Sequence, residues 1–532
     1  MLKLIGKTVM HMIPKRNLRF LIVMRAILLL SAAVSVRGQG VRDVRDLFGP
    51  GYQPAQEISP EISPSVVLVP PPDPETLPRL LFWNKVTLDA NALDHTPPGP
   101  GENRVFGEQV GPVRTARAFA IVHIAISDAV NAIQRRYKTY TNLPQPPAST
   151  SLDSAIAQAA HDTLIALYPS QRPKFDQLLA ADLALIANGN SKNRGIALGM
   201  NAAANILALR ANDGSQHLEP CVVLPCPTGG LLYPTSNEPG MWRQDPIGMS
   251  PLALGALWRV VAPFVLTSAS QFRTPPPPDL TSSAYTDAFN EVKRLGGDGV
   301  LTPTERTADQ TIAGMFWGYE GTPGIGTPPR LYNQIAIQIA SQMGTDVIDL
   351  ARLLALLNVG LADAGLSAWD SKYQYVFWRP VTAIREADPG TGPTGQGDGN
   401  PATIGDTNFT PLGAQASNMT GPNFTPPFPA YPSGHAVFGA TLFQTLRNFY
   451  GTDAIAFSFV SDEFNGVTRD NHGNVRPLVM RNFSSLSQAE DENGQSRIYL
   501  GIHWAFDKTQ GIIQGRSVAN YVFANAFTPQ KP

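Results

Sequence analysis

"DVIDLARLLALLNVGLADAGLSAWDSKYQYVFW", residues 346–378, is a long run of Ala, Leu and Val in which the apolar positions return every three or four residues. That period places them on one side of an α-helix, whereas a strand would alternate. The same texture recurs on either side. It is seen in "RTARAFAIVHIAISDAVNAI" (114–133), "SLDSAIAQAAHDTLIALY" (151–168), "RPKFDQLLAADLALIAN" (172–188) and "NRGIALGMNAAANILALRAND" (193–213). It returns in "SAYTDAFNEVKRLG" (283–296), "PTERTADQTIAGMFWGY" (303–319) and "RLYNQIAIQIASQMG" (330–344). Strand-like alternation is almost absent. The expected class is all-α, with helix bundles joined by long loops rich in the chain's 48 prolines and 46 glycines. A faint internal echo links two of these helices. "RAFAIVHIAISDA" from Arg117 and "RLLALLNVGLADA" from Arg352 each place Asp-Ala eleven residues after the arginine. The echo marks either two similar bundles or two generic Ala-rich helices.

Composition narrows the partners. With 41 Lys+Arg against 42 Asp+Glu, the net charge of −1 predicts neither nucleic acid nor an anionic membrane. Lys3, Lys7, Lys15, Arg16, Arg19 and Arg25 precede the apolar run 26–36, "AILLLSAAVSV". That run is too short to span a bilayer and reads as the core of a signal peptide over residues 1–38, hence secretion. No other stretch reads as a membrane span. Residues 39–80 read as a Pro-rich linker, 81–280 as an N-terminal helical half and 281–530 as a C-terminal helical half. In a secreted chain the two cysteines, Cys221 and Cys226, close a small disulfide loop; otherwise they are two free thiols. Sequons at Asn408, Asn418, Asn423 and Asn482 agree with secretion.

Chemistry concentrates in three basic clusters near the C-terminus. In "KYQYVFWRP", Lys372 and Arg379 are seven apart, two turns along one helix face, with Pro380 biasing Arg379 out of the helix. In "YPSGHAVFGATLF", 431–443, a helix begins on Ser433, Gly434 and His435, and its first N–H groups suit an anion. In "SRIYLGIHWAFD", Asp507 is four residues after His503 and can orient its ring, while Arg497 lies six before it, with Gly501 as a place for the geometry to adjust. Taken singly, these could be a solvated helix face, an ordinary N-terminal turn and a capped core histidine.

Together and in this order, Lys-x6-Arg-Pro, Pro-Ser-Gly-His and Ser-Arg-x5-His-x3-Asp resemble the vanadium-dependent haloperoxidases and type 2 phosphatidic acid phosphatases, one superfamily. "GTPPRLYNQI", "ADAGLSAWDSKYQYVFWRP" and "PPFPAYPSGHAVFGA" extend the resemblance, over about residues 300–510, to the fungal-type vanadium chloroperoxidases. The resemblance implies two four-helix bundles with the active site at the end of the C-terminal one. It implies vanadate as cofactor, with His503 as the axial ligand of vanadium. Lys372, Arg379, Arg497, Ser433 and Gly434 would hold the vanadate oxygens. His435 would be the acid–base residue, and Lys372 would also draw charge from the bound oxidant. Asp507 would set the tautomer of His503, and Glu320 stands where the family has an Asp paired with the third-motif arginine. Trp369 and Phe428 fall at the halide pocket of the chloride-oxidising branch. The implied reaction is oxidation of chloride or bromide by hydrogen peroxide to hypohalous acid. The alternative is an acid phosphatase in which His503 attacks phosphorus and His435 protonates the leaving group. The organic acceptor and the oligomeric state are left open by the sequence.

Overall fold

The computed structural model describes residues 40–54, 76–414, 419–420, 423–467 and 474–530. The expected signal segment, residues 55–75 of the expected linker and Asn418 lie outside the described residues.

The helices are α1 (Val44–Phe48), α2 (Thr76–Asp94), α3 (Pro112–Gln134), α4 (Leu152–Leu167), α5 (Arg172–Ala184) and α6 (Asn190–Arg210). After a long irregular stretch come α7 (Ser283–Leu295), α8 (Ala308–Phe316), α9 (Pro328–Gln342), α10 (Val347–Tyr375) and α11 (Pro380–Arg385). The chain closes with α12 (Gly434–Tyr450), α13 (Leu486–Tyr499) and α14 (Ala505–Asn525). The all-α class holds. Two boundaries differ from expectation: α1 lies within the segment read as linker, and α2 begins at Thr76, ahead of residue 81.

Packing follows from the apolar stripes. Helix α3 lies against α4, α6 and α10, and α10 lies in turn against α12 and α14. The two central helices, α3 and α10, are buried along almost their whole length. Helix α3 is long and apolar enough to cross a membrane, but 94% of its most apolar window is covered by protein. Helix α14 comes close to α12 because Gly511 and Gly515 present no side chain. A Cβ on Gly511 would stand 2.9 Å from the Ser433 carbonyl oxygen, and one on Gly515 would stand 2.2 Å from that of Val437.

The internal echo has a physical content. Asp128 on α3 accepts the N–H groups of Tyr140 and Thr141 at 2.6 and 2.7 Å. Asp363 on α10 accepts those of Phe264, Val265 and Leu266 at 2.7, 2.8 and 2.9 Å. At the same point of each matching stretch, one buried carboxylate ties down a loop that packs over the helix.

The sequence shows almost no strand-like alternation, yet the described residues include two small antiparallel ribbons. Strand β1 (Gln53–Pro54) pairs with β2 (Met419–Thr420), and β3 (Phe457–Asn465) pairs with β4 (Leu478–Phe483) with a register shift between Val460 and Asn465. That shift breaks the alternation on which a strand reading depends. Cys221 and Cys226 form a disulfide.

Candidate active site

The first cluster is not one helix face. Helix α10 ends at Tyr375, Val376 takes a left-handed conformation (φ 51°) and its N–H bonds the Lys372 carbonyl. Arg379 lies beyond, extended (φ −83°, ψ 153°), as the N-cap of α11 with Pro380 in the first helical position. Pro380 starts a new helix, while the old one has already stopped. The two cations therefore reach the site from different elements. The third cluster is divided in the same way. Arg497 lies in the last turn of α13, Gly501 (φ +72°) turns the chain, and Asp507 sits in the first turn of α14.

Both cations of the first cluster are wholly buried and share one loop as acceptor, Arg379 reaching Ile502 as well. Lys372 Nζ donates to the carbonyls of Pro429, Ala430 and Pro432 at 2.9, 2.9 and 2.5 Å. Arg379 donates to Phe428 O at 3.0 Å, Pro426 O at 3.4 Å and Ile502 O at 2.9 Å. The chemical reason lies in "PPFPAYP", 426–432. Each proline keeps its carbonyl and lacks an N–H, so the loop has acceptors in excess and suits buried donors. This signal was available in the sequence but was not used.

His503 is placed by two contacts. Its Nδ1 lies 2.7 Å from Asp507 Oδ2, and its Nε2 lies 3.0 Å from Arg379 Nη1. A carboxylate beside Nδ1 and a guanidinium donor beside Nε2 together require the Nδ1–H tautomer, so Nε2 carries the lone pair. Burial first, then Arg379, Lys372 and Arg497, hold the ring far below the usual histidine range, that is, neutral. Asp507 Oδ2 also accepts the Trp504 N–H at 3.2 Å. Burial raises Asp507 to about 7, although Lys372 draws it down.

Ser433 is the N-cap of α12, its hydroxyl facing the Ala436 N–H at 3.4 Å. Gly434 and His435 open the helix, where N–H groups have no intrahelical acceptor. A Cβ on Gly434 would stand 3.4 Å from the Trp369 ring. His435 Nε2 lies 2.8 Å from the Gly318 carbonyl. A carbonyl can only accept, so Nε2 bears the proton and Nδ1 the lone pair. Burial, followed by Arg497, keeps this ring neutral too. Arg497 pairs with Glu320 and donates to Trp317 O at 3.2 Å. The extra methylene of Glu320 does not prevent that pairing.

Trp369 and Phe428 form an aromatic wall, their centroids 4.9 Å apart. Lys372 Nζ stands 5.6 Å from the Trp369 centroid and 5.1 Å from that of Phe428. The cavity beside the wall has a volume of about 50 Å³ and is reached by Glu320, His435 and His503. From the N-terminal part, Leu47, Phe48 and His95 close it.

The site is an anion site by its charges. Lys372, Arg379 and Arg497 converge with Asp507 and Glu320 as the nearest carboxylates, and Glu320 is itself raised by burial. Burial depresses all three cations, Arg379 to about 10, so a bound anion would relieve each of them. Arg497 Nε is buried without a hydrogen-bond partner. Among the described residues no group of three or more His, Cys, Asp or Glu is placed to hold a bare metal cation. A tetrahedral oxyanion fits three cationic donors, a helix N-terminus and one imidazole lone pair. Lys372 must redirect at least one of its three donors to reach such an anion.

Sequence reading missed the residues behind His435. Tyr332 Oη donates to the His435 carbonyl at 3.1 Å and Asn493 Nδ2 donates to it at 2.8 Å. They lie 103 and 58 residues away, so no local spacing announces them.

Fold and site together define a helical protein with a buried cationic pocket suited to an oxyanion. The family model "Vanadium chloroperoxidase N-terminal domain" matches residues 76–203, and that of the second helical-bundle domain of the same enzymes matches 352–530. Vanadium chloroperoxidase of Curvularia inaequalis is 32% identical over 511 residues, spanning 80% of this chain and 78% of that protein. The chain belongs to the vanadium chloroperoxidase family. Among solved structures, a bacterial vanadium-dependent iodoperoxidase superposes with a TM-score of 0.66 at 22% identity, covering 86% of this chain and all of the other. A holo-type bacterial vanadium-dependent chloroperoxidase superposes with a TM-score of 0.57 at 16% identity, covering 82% of this chain and 95% of the other. At such identities these two speak for the fold alone.

Proposed function

We propose that this protein is a vanadate-dependent haloperoxidase oxidising chloride and bromide: halide, hydrogen peroxide and one proton give hypohalous acid and water. The observation that carries the reading is a neutral His503 with Arg379 3.0 Å from its Nε2 and with Lys372 and Arg497 close enough to depress the ring further. Family membership supplies the cofactor, vanadate. His503 would be its one protein ligand through Nε2, with Lys372, Arg379, Arg497, the Ser433 hydroxyl and the Gly434 N–H around its oxygens. When bound, vanadium(V) supplies a Lewis acid that makes peroxide electrophilic without a change of metal redox state.

The chain's own residues do the rest. His435, neutral with a lone pair on Nδ1, takes a proton from incoming peroxide and returns it to the departing oxygen. Lys372 places positive charge where charge would otherwise accumulate. Trp369 and Phe428 strip water from the halide, and the small cavity volume suits an ion more than a bulky organic molecule. The wall supports chloride as a substrate alongside bromide. Secretion is proposed as well, and the Cys221–Cys226 disulfide agrees with an oxidising compartment.

The Nδ1–Asp507 bond would equally prepare His503 to attack phosphorus, so the test covers both readings. Chlorination and bromination of monochlorodimedone with peroxide, with and without orthovanadate, is compared with p-nitrophenyl phosphate hydrolysis in the absence of both. Vanadate-dependent halogenation is expected. Phosphate ester hydrolysis without halogenation would assign the site to a phosphatase.

A further inference from the structure

We propose that Glu463, a wholly buried carboxylate on β3, is a positioning residue that sets the tautomer of His435. The inference rests on the acid–base role given to His435 above. At His435 Nε2 the Gly318 carbonyl stands at 2.8 Å and the Glu320 carboxylate farther off, at 3.6 Å, so the carbonyl is the hydrogen-bond acceptor. What fixes Gly318 therefore fixes the proton.

The segment Phe316–Glu320 is gripped by three consecutive residues of β3. Ser461 Oγ donates to the Phe316 carbonyl at 2.6 Å. The Asp462 N–H donates to Tyr319 Oη at 2.8 Å. Glu463 Oε1 accepts the Tyr319 N–H at 2.9 Å. That last bond acts on the peptide unit that carries the Gly318 carbonyl: the Gly318 C=O and the Tyr319 N–H belong to the same plane. Glu463 holds the N–H end and His435 meets the C=O end. If the plane rotates, the carbonyl leaves the ring. Tyr319 itself is in the left-handed region (φ 54°), a conformation that costs energy for a non-glycine residue and needs such a hold. The contact is also close. A Cβ on Gly318 would stand 2.7 Å from Glu463 Oε1, so residue 318 must be small for the carboxylate to approach.

Glu463 holds the peptide by its reach, while its charge bears on Glu320 and Arg497, and two conservative variants separate these. Glu463→Gln keeps a carbonyl oxygen at the same distance without the charge. Glu463→Asp keeps the charge but falls one methylene short of the Tyr319 N–H. Protein labelled with ¹⁵N-histidine reports the ring tautomer directly, and the His435 signals are assigned by their loss in His435→Gln. The native protein and Glu463→Gln should both show pure Nε2–H. Glu463→Asp should show mixed tautomers and, in the halogenation assay, a loss approaching ~10²-fold, the scale of a misplaced reacting group. A pure Nε2–H signal in Glu463→Asp, or a disturbed one in Glu463→Gln, would overturn the proposal. The spectrum is read without vanadate or halide, so failure of the haloperoxidase reading would leave this test intact.

Discussion

The two histidines of the site differ in what each nitrogen can do, and substitution should separate them. His503 presents Nε2 as a lone pair fixed by Asp507 at 2.7 Å from Nδ1. His503→Ala leaves the three cations in place but removes the proposed bond to vanadium. Calorimetric titration with orthovanadate should show much weaker binding, and turnover should vanish at every pH. His435→Ala removes only a proton carrier. It should bind orthovanadate with near-native affinity yet lose about 10²–10⁴-fold in halide oxidation. Equal affinities in the two variants would refute the ligand assignment. Gly255 offers a third test at this scale. It has φ +84°, and a Cβ there would stand 2.1 Å from Trp369 Nε1. Gly255→Ala should push Trp369 out of the wall, lower the melting temperature by the equivalent of about 1–3 kcal/mol and depress chloride oxidation more than bromide oxidation. An unchanged chloride-to-bromide ratio would separate Trp369 from halide selection.

At the scale of the element, α3 carries an instructive residue. His123 is wholly buried in it, with neither ring nitrogen hydrogen-bonded. Burial lowers its pKa to about 3 from the usual 6.5. The unfolded chain takes up this proton as pH falls through 6.5, while the folded chain does not until about 3. The unfolded state thus binds more protons in that window, and stability falls with falling pH. The His123 share should approach about 1.4 kcal/mol per pH unit below pH 6. His123→Leu should remove that share, so denaturation midpoints at pH 7 and pH 5 should differ less in the variant than in the native protein. Parallel pH dependences would show that the ring escapes burial. Strand β3 makes the opposite point about legibility. Its residues steady the site, but its shifted register and inward polar side chains Ser461 and Glu463 gave no alternating pattern to read.

For the whole molecule, the long irregular stretch between α6 and α7 is as structural as the helices. Asp363 at the centre of α10 accepts three of its backbone N–H groups. Asp363→Asn turns one acceptor into a donor facing donors. A loss of about 1–3 kcal/mol is expected, read as a lower urea midpoint. Asp128 should respond in the same way on α3, because the same fastening is used on both helices. A native midpoint in both variants would mean that the loops are held by packing alone. Phosphate should compete with orthovanadate for the native protein, since both are tetrahedral oxyanions suited to the same cationic donors. Titration of orthovanadate at rising phosphate concentrations checks this, and an unshifted affinity would argue against a shared site.

The helical class, and the residue types that meet at the site, followed from the sequence itself. Helical periodicity is a local property, and the spacing within "PSGH" or between His503 and Asp507 is short enough for backbone geometry to carry it. What the tertiary structure decided was of longer range. It ended α10 at Tyr375 instead of carrying it toward Pro380, so Lys372 and Arg379 meet by way of a proline-rich loop and not along a helix face. It brought Tyr332 and Asn493 to the His435 carbonyl, and Glu463 to the peptide that holds the His435 proton. Those contacts join residues 58 to 144 positions apart. No periodicity relates such residues; only the packing of α9, α13 and β3 around the start of α12 puts them within hydrogen-bonding distance.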